Sequence, residues 1–282
     1  MIPPPSLPPK GDKCCKYIEG ICKNKIYFGN LSYVFVVIGF MRIYKVLKMG
    51  AFHTVFCEDF LLEVAFNERI HIAAVMDGCS MGRDTHFVST LLAKLLHKHI
   101  RSLSYLDWQK SVFTSLEDLA RLLLQRCWAD LKFVQNDWLL EVEELLSTLS
   151  LLVLDRVQKT AFVVMIGDGV FAINDKIIHI DQDDKPDYLA YHLSENFEDW
   201  FAALQNTFFV EEVVNIALAT DGIETFMNRE QSFDFGFDVV GYLLQDTSFA
   251  DGDMLARKCN FVKERYGAVP TDDLAIIRLA TI

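Results

Sequence analysis

Four short acidic motifs are spread along this chain, each at the end of an apolar, strand-like run: Cys57-Glu58-Asp59, Met76-Asp77-Gly78, Thr220-Asp221-Gly222 and Thr271-Asp272-Asp273. Carboxylates so close to core strands are costly to bury unless something neutralises them. A divalent cation does this well, because hard cations take oxygen ligands. Gly167-Asp168-Gly169, after the apolar run Ala161 to Ile166, repeats the pattern. A single Asp-Gly is most often an ordinary turn. Several of them at strand ends would crowd like charges along one sheet edge, and such crowding demands a metal or a proton.

The chain has 282 residues, 51% of them hydrophobic, and a formal net charge of −12. That length and apolar content support a sizeable core and argue against global disorder. The negative charge disfavours nucleic acid as a partner. Bound cations would still let such a protein handle phosphate. The seven cysteines are odd in number and include no CxxC pair, which points away from a thiolate zinc site and toward a reducing cytoplasm. Cys14, Cys15 and Cys22 are the nearest thing to a redox or metal cluster, and they have no partner ligands at zinc spacing.

Residues 1–40 read as a poorly ordered extension. They hold a proline cluster (Pro3, Pro4, Pro5, Pro8, Pro9), a Lys/Cys-rich stretch and an apolar run from Ile26 to Phe40. That run is shorter than the roughly 20 residues that span a bilayer as a helix. A weak anchor and a mis-assigned start are the alternatives for it. The folded domain is expected over residues 41–282, beginning with the alternating segment Met41 to Lys48. Strands are expected at 60–66, 70–76, 149–154, 161–166, 170–173, 177–180, 215–219 and 274–279. Turns are expected at Asn67-Glu68-Arg69, Asp155-Arg156 and Asn174-Asp175. Helices are expected at 84–100 with Asp84 as cap, at 116–134 with Ser115 or Thr114 as cap, and at 197–204, 239–244 and 254–266. Strand pairs interleaved with long helices suggest a layered α+β domain.

In this order the motifs resemble those of the metal-dependent protein phosphatases of type 2C: Glu58-Asp59, Asp77-Gly78, Ser147-Thr148-Leu149, Gly167-Asp168-Gly169, Thr220-Asp221-Gly222 and Asp272-Asp273. Gly50 to His53, ahead of them, looks like the divergent bacterial branch. The resemblance covers residues 41–282. It implies a four-layer αββα sandwich, two antiparallel sheets flanked by helices. It also implies a cytoplasmic, monomeric enzyme that removes phosphate from phosphoserine or phosphothreonine on a protein partner. Two Mn²⁺ or Mg²⁺ ions, with room for a third, are implied as cofactors. By motif, Asp77 would bridge the two ions and Gly78 would offer its carbonyl. Glu58 would hold one ion, and Asp221 and Asp272 the other. Asp59 would orient the attacking water, and Asp168 would help hold a third ion. Two metals about 3.5–4 Å apart acidify a water, position it for in-line attack and offset phosphoryl charge. Asp59 and Asp77 are thus the expected catalytic residues.

The pattern departs from the family in two places. An arginine often stands four residues before the Glu of Glu-Asp to grip phosphate; here that position is Thr54, beside His53. The substrate-binding candidates are therefore His53, Thr54 and Arg83. Cys79 stands where some members place a histidine, and no sequence neighbour equips it as a nucleophile. The rival function is a pseudophosphatase, a binding module on the same fold. His97 and His99, two apart on a helix, share no face. Asp181 to Asp184 reads as a solvated loop. The aromatic stretch Phe197 to Phe209 reads as packing, with substrate contact as the alternative.

Overall fold

The structure is a computed structural model, and it describes residues 41–282 apart from 81, 84, 183, 184 and 282. The expectations for residues 1–40, for the Asp84 cap and for Asp183 and Asp184 lie outside the described residues.

The chain begins with β1 (Met41–Lys48), β2 (Phe60–Ala65) and β3 (Ile70–Met76), then the long helices α1 (Thr85–Gln109) and α2 (Leu116–Trp138). Next come β4 (Leu149–Asp155), β5 (Thr160–Ile166), β6 (Gly169–Ile173) and β7 (Lys176–Ile180), followed by α3 (Phe197–Ala203), β8 (Thr207–Val210) and β9 (Asn215–Ala219). The last part holds β10 (Phe226–Met227), α4 (Val239–Leu244), α5 (Met254–Tyr266), β11 (Val269–Pro270) and β12 (Leu274–Thr281). One five-stranded sheet has the order β1-β12-β9-β6-β7 and the other β2-β3-β4-β5-β8; every pairing is antiparallel.

Three apolar layers hold these elements together. Ala73, Val75, Leu152, Val163, Phe171, Leu218 and Ile277 fill the space between the sheets. Ile72, Ala74, Leu151 and Val164 leave the opposite face of the second sheet and pack with Leu92 and Leu96 of α1 and Leu123 and Leu124 of α2. Val46, Ala217 and Ile276 do the same on the first sheet, against Leu243 of α4 and Leu255 and Val262 of α5. The result is a four-layer αββα sandwich. It explains the two sequence textures. All seven residues of β3 are buried, because it is covered on both faces, so it reads as an apolar run interrupted by His71; β1, at a sheet edge, alternates.

Local signals fix several boundaries. The Asn67 side chain accepts from the N–H groups of Arg69 (2.9 Å) and Ile70 (2.7 Å), closing the β2–β3 hairpin. Ser115, rather than Thr114, caps α2, accepting from Asp118 N–H at 3.0 Å. α1 continues past residue 100 to Gln109, because Leu103 extends its buried stripe. β8, missed in the sequence, is a four-residue edge strand formed by pairing with β5.

Candidate metal centre

Of the four opening motifs, two follow their strands and two precede them, yet all fall at the same edge. In an antiparallel ladder the start of one strand lies beside the end of its neighbour. Phe60, opening β2, pairs with Met76, closing β3, so Glu58-Asp59 and Asp77-Gly78 meet. Ile276 pairs with Ala219, which brings Asp272-Asp273 beside Asp221. Val170 also pairs with Ala219, so Gly167-Asp168-Gly169 joins them. Thr148 binds Asp77 through two backbone links: its N–H donates to the Asp77 carbonyl at 2.8 Å, and its Oγ1 accepts from the Asp77 N–H at 3.1 Å. Thr220 crosses between the sheets, its hydroxyl donating to Asp59 Oδ2 at 2.6 Å.

The two Asp-Gly glycines are required by close approach. A Cβ on Gly78 would stand 2.2 Å from the Thr85 carbonyl oxygen, and one on Gly222 would stand 1.7 Å from that of Asp273. Backbone from another motif, or from the start of α1, therefore presses against each glycine.

The carboxylates act on one another. Asp59 is 2% exposed, and no described donor reaches its Oδ1. Burial lifts its pKa well above the carboxylate range; bonds with Thr220 and Asp77 oppose this, and the charges of Asp221 and Asp273 add to it. Asp77 is raised as well, first by burial and then by Asp59, Asp221 and Asp272. Asp59 and Asp77 thus both hold a proton more tightly than an isolated carboxyl does. Asp221 is raised to about 6 by burial and by Asp272, Asp168 and Glu224.

Around this group the polar contacts are specific. The Glu58 carboxylate accepts from Ser80 Oγ at 2.7 Å and from the Thr85 hydroxyl. His53 stands among three acids, with Nε2 3.0 Å from Asp272 Oδ1, and Nδ1 3.2 Å from Asp273 Oδ2 and 4.0 Å from Glu58 Oε2. Asp273, overlooked in the sequence beside the predicted Asp272, organises this corner. Its buried carboxylate accepts from the N–H groups of Gly50 (2.7 Å) and Glu58, tying the loop before β2 to the start of β12. The doubled Asp272-Asp273 was its only signal. Thr220 had a similar signal, as the residue before Asp221.

The structure brings Glu58, Asp59, Asp77, Gly78, Asp168, Asp221 and Asp272 to one edge, with His53 inserted among them. Thr54 and Arg83 are exposed, and neither side chain has an ion pair or hydrogen bond among the described residues. Cys79 is half-buried, and its proximity, after burial, raises the Tyr188 pKa. His99 is buried on Asp130 (2.8 Å) while His97 faces water, so the two do not share a face.

Among the described residues no three acidic, histidine or cysteine side chains already stand as a closed metal-ligand set. The donors nevertheless fit a hard divalent ion in kind. They are carboxylate oxygens, crowded enough to hold protons they would otherwise lose, and one of them is a buried oxygen without a donor.

Comparison with known proteins agrees with this arrangement. The family model described as protein phosphatase 2C matches residues 53–256. A bacterial serine phosphatase of known structure shares 11% identity over 86% of this chain and 98% of its own, with a TM-score of 0.56. The SiaA-PP2C domain of Pseudomonas aeruginosa shares 14% identity over 84% of this chain and 85% of its own, with a TM-score of 0.54. No curated protein sequence matches significantly. At such identities the structures speak for the fold, and the family match speaks for descent. Among the described residues no helix is long and apolar enough to cross a membrane. With the match covering well over half of its length, the chain belongs to the protein phosphatase 2C family of metal-dependent phosphatases.

Proposed function

We propose that this protein is a phosphoserine/phosphothreonine protein phosphatase that hydrolyses the phosphate monoester with water and forms no covalent enzyme intermediate. One observation carries the reading: Asp59, Asp77 and Asp221 are gathered at one edge of the sandwich with raised pKa values, and no lysine or arginine among the described residues acts on them. Asp77, the Gly78 carbonyl, Glu58, Asp221 and Asp272 would hold two Mn²⁺ or Mg²⁺ ions. Asp168 beside Asp221 would serve a third. When bound, such ions make water more acidic and offset phosphoryl charge. Asp59 is held in place by Thr220, and it would orient the attacking water. His53 is the one candidate phosphate ligand already at the acidic edge, and to contact phosphate it must give up Asp272. The substrate is a phosphorylated protein, met by a cytoplasmic monomer.

The test is release of phosphate from p-nitrophenyl phosphate and from phosphoserine peptides with added Mn²⁺. Turnover that vanishes in Asp77→Asn is expected; a wild-type chain inert toward both substrates would sink the proposal. The His53–Asp272 contact favours a second reading. A chain that keeps His53 on Asp272 would bind phosphoproteins without hydrolysing them. Calorimetry separates the two: Mn²⁺ binding supports the phosphatase, and phosphopeptide binding without Mn²⁺ binding supports the binding module.

A further inference from the structure

A cavity of about 320 Å³ lies next to the acidic edge, and the chemistry above does not use it. Gly167, one residue before Asp168, is part of its wall. Trp200 and Leu204 supply an apolar side. Trp200 is 5% exposed and held in place by Trp128, with ring centroids 4.8 Å apart, so this wall is rigid. Asp187, Glu195 and Asp199 supply the polar side. His192 joins two of these acids: its Nε2 is 2.7 Å from Asp187 Oδ1 and its Nδ1 is 2.8 Å from Glu195 Oε1. Each of those carboxylates uses one oxygen on the imidazole, and the other makes no bond among the described residues. Asp199 lies in the first turn of α3, exposed and with no side-chain bond among the described residues.

Three carboxylates against one imidazole leave the cavity negative whichever state the histidine takes. Burial works against a charge on His192, but its bonds to Asp187 and Glu195 outweigh burial and raise its pKa, and the same two bonds hold both carboxylates in place. An anionic ligand is repelled here, and a purely apolar one would leave the carboxylates facing it. The walls instead match a side chain with an aliphatic stem and a cationic head: the stem lies along Trp200 and Leu204, and the head meets the free carboxylate oxygens. Arginine suits this better than lysine, because its planar fork pairs with carboxylates and stacks on aromatic rings. The volume is at the lower end of ligand pockets, which suits one side chain.

We propose that this cavity is a specificity subsite that takes an arginine or lysine side chain lying a few residues from the phosphorylated residue of the substrate protein. The proposal rests on the phosphatase reading for its substrate, but its binding chemistry can be tested separately.

The experiment uses the full chain with Mn²⁺ and a set of fluorescein-labelled phosphoserine peptides. A single arginine is walked through the four positions on either side of the phosphoserine, with an all-alanine parent as reference. Hydrolysis of each peptide, binding by fluorescence anisotropy and hydrolysis of p-nitrophenyl phosphate are measured. At one or two positions arginine is expected to raise kcat/KM by about tenfold, the size of one charge-assisted hydrogen bond. The Glu195→Gln/Asp199→Asn double variant should lose that preference. It should keep wild-type rates on p-nitrophenyl phosphate and on the parent peptide. Asp199→Lys should shift the preference toward glutamate in the same positions. The subsite is overturned if no position shows a preference, or if the double variant retains it. If the wild-type chain hydrolyses nothing, anisotropy still decides: arginine-dependent binding that the double variant loses upholds the subsite and refutes the phosphatase, and binding indifferent to arginine removes the subsite.

Discussion

Two groups of charged side chains withdrawn from water, among those described, are treated by the fold in opposite ways. Beneath α4, Lys258 and Arg278 are 0% and 1% exposed. The Lys258 ammonium donates to the carbonyls of Tyr242 (2.6 Å) and Asp246. Arg278 donates to the carbonyls of Asp246 (2.7 Å), Gln245 (2.8 Å) and Leu243 (3.1 Å) and to Asn215 Oδ1 (2.7 Å). These carbonyls are at and just past the end of α4, where a helix leaves acceptors unpaired and its dipole favours cations. At the acidic edge, by contrast, carboxylates face carboxylates, and Asp59 Oδ1 has no described donor. A buried charge that serves the fold is supplied with partners by the chain itself. At the acidic edge no lysine or arginine among the described residues acts on Asp59, Asp77 or Asp221, and a bound cation would supply the balancing charge.

If this contrast holds, removing a charge should have opposite effects in the two places. Asp77→Asn is expected to cost about a thousandfold or more in kcat. The metal-free protein should meanwhile melt at an equal or higher temperature, because one of the mutually repelling acids has gone. A melting temperature that falls would show that the acids stabilise the fold and would end the comparison. Arg278→Met should do the reverse. It strips partners from several buried acceptors and is expected to cost about 3–5 kcal/mol in urea unfolding. Phosphatase activity in the fraction that stays folded should be near wild type.

The acidic half of this contrast was legible in the sequence and the basic half was not. Asp77, Asp221 and Asp168 announced themselves because each follows an apolar run that could only be a buried strand. Antiparallel pairing then forces such strand ends together. The bounds of β3, β9, α4 and α5 were read correctly for the same local reasons. Lys258 and Arg278 are different: each looks like an ordinary surface cation in its own segment, and only packing onto α4, 16 residues from Lys258 and 35 from Arg278, makes it internal. Asp273 was overlooked because its partners, Gly50 and Glu58, come from the other end of the domain. The substrate cavity was half visible. The aromatic stretch from Phe197 supplied its rigid wall, but nothing local tied that stretch to Gly167.

The finest discrimination comes from pH, because the two regions should tilt stability in different ranges. Folding lowers the Lys258 pKa from its ordinary 10.5 to about 8, with burial as the main cause. The unfolded chain therefore holds this proton more tightly. Below pH 8 the lysine is charged in both states and the folded state carries the burial penalty; that penalty fades between pH 8 and 10.5. Stability should rise over that interval by on the order of 3 kcal/mol relative to Lys258→Met, which removes the titration and isolates it from cysteines and tyrosines. Asp221 tilts the other way and by less. Its pKa is raised from 3.8 to about 6, so the folded state holds the proton more tightly. The resulting stabilisation is complete below pH 3.8 and is lost as pH climbs through 6. In metal-free protein this loss should be on the order of 2 kcal/mol between pH 4 and 7, read as the difference from Asp221→Asn in urea unfolding. Saturating Mn²⁺ should flatten that slope in the wild type and leave the Lys258 slope untouched. If Mn²⁺ changes neither slope, the raised pKa values at the acidic edge belong to the architecture of the sandwich, and its missing counter-charge is a proton.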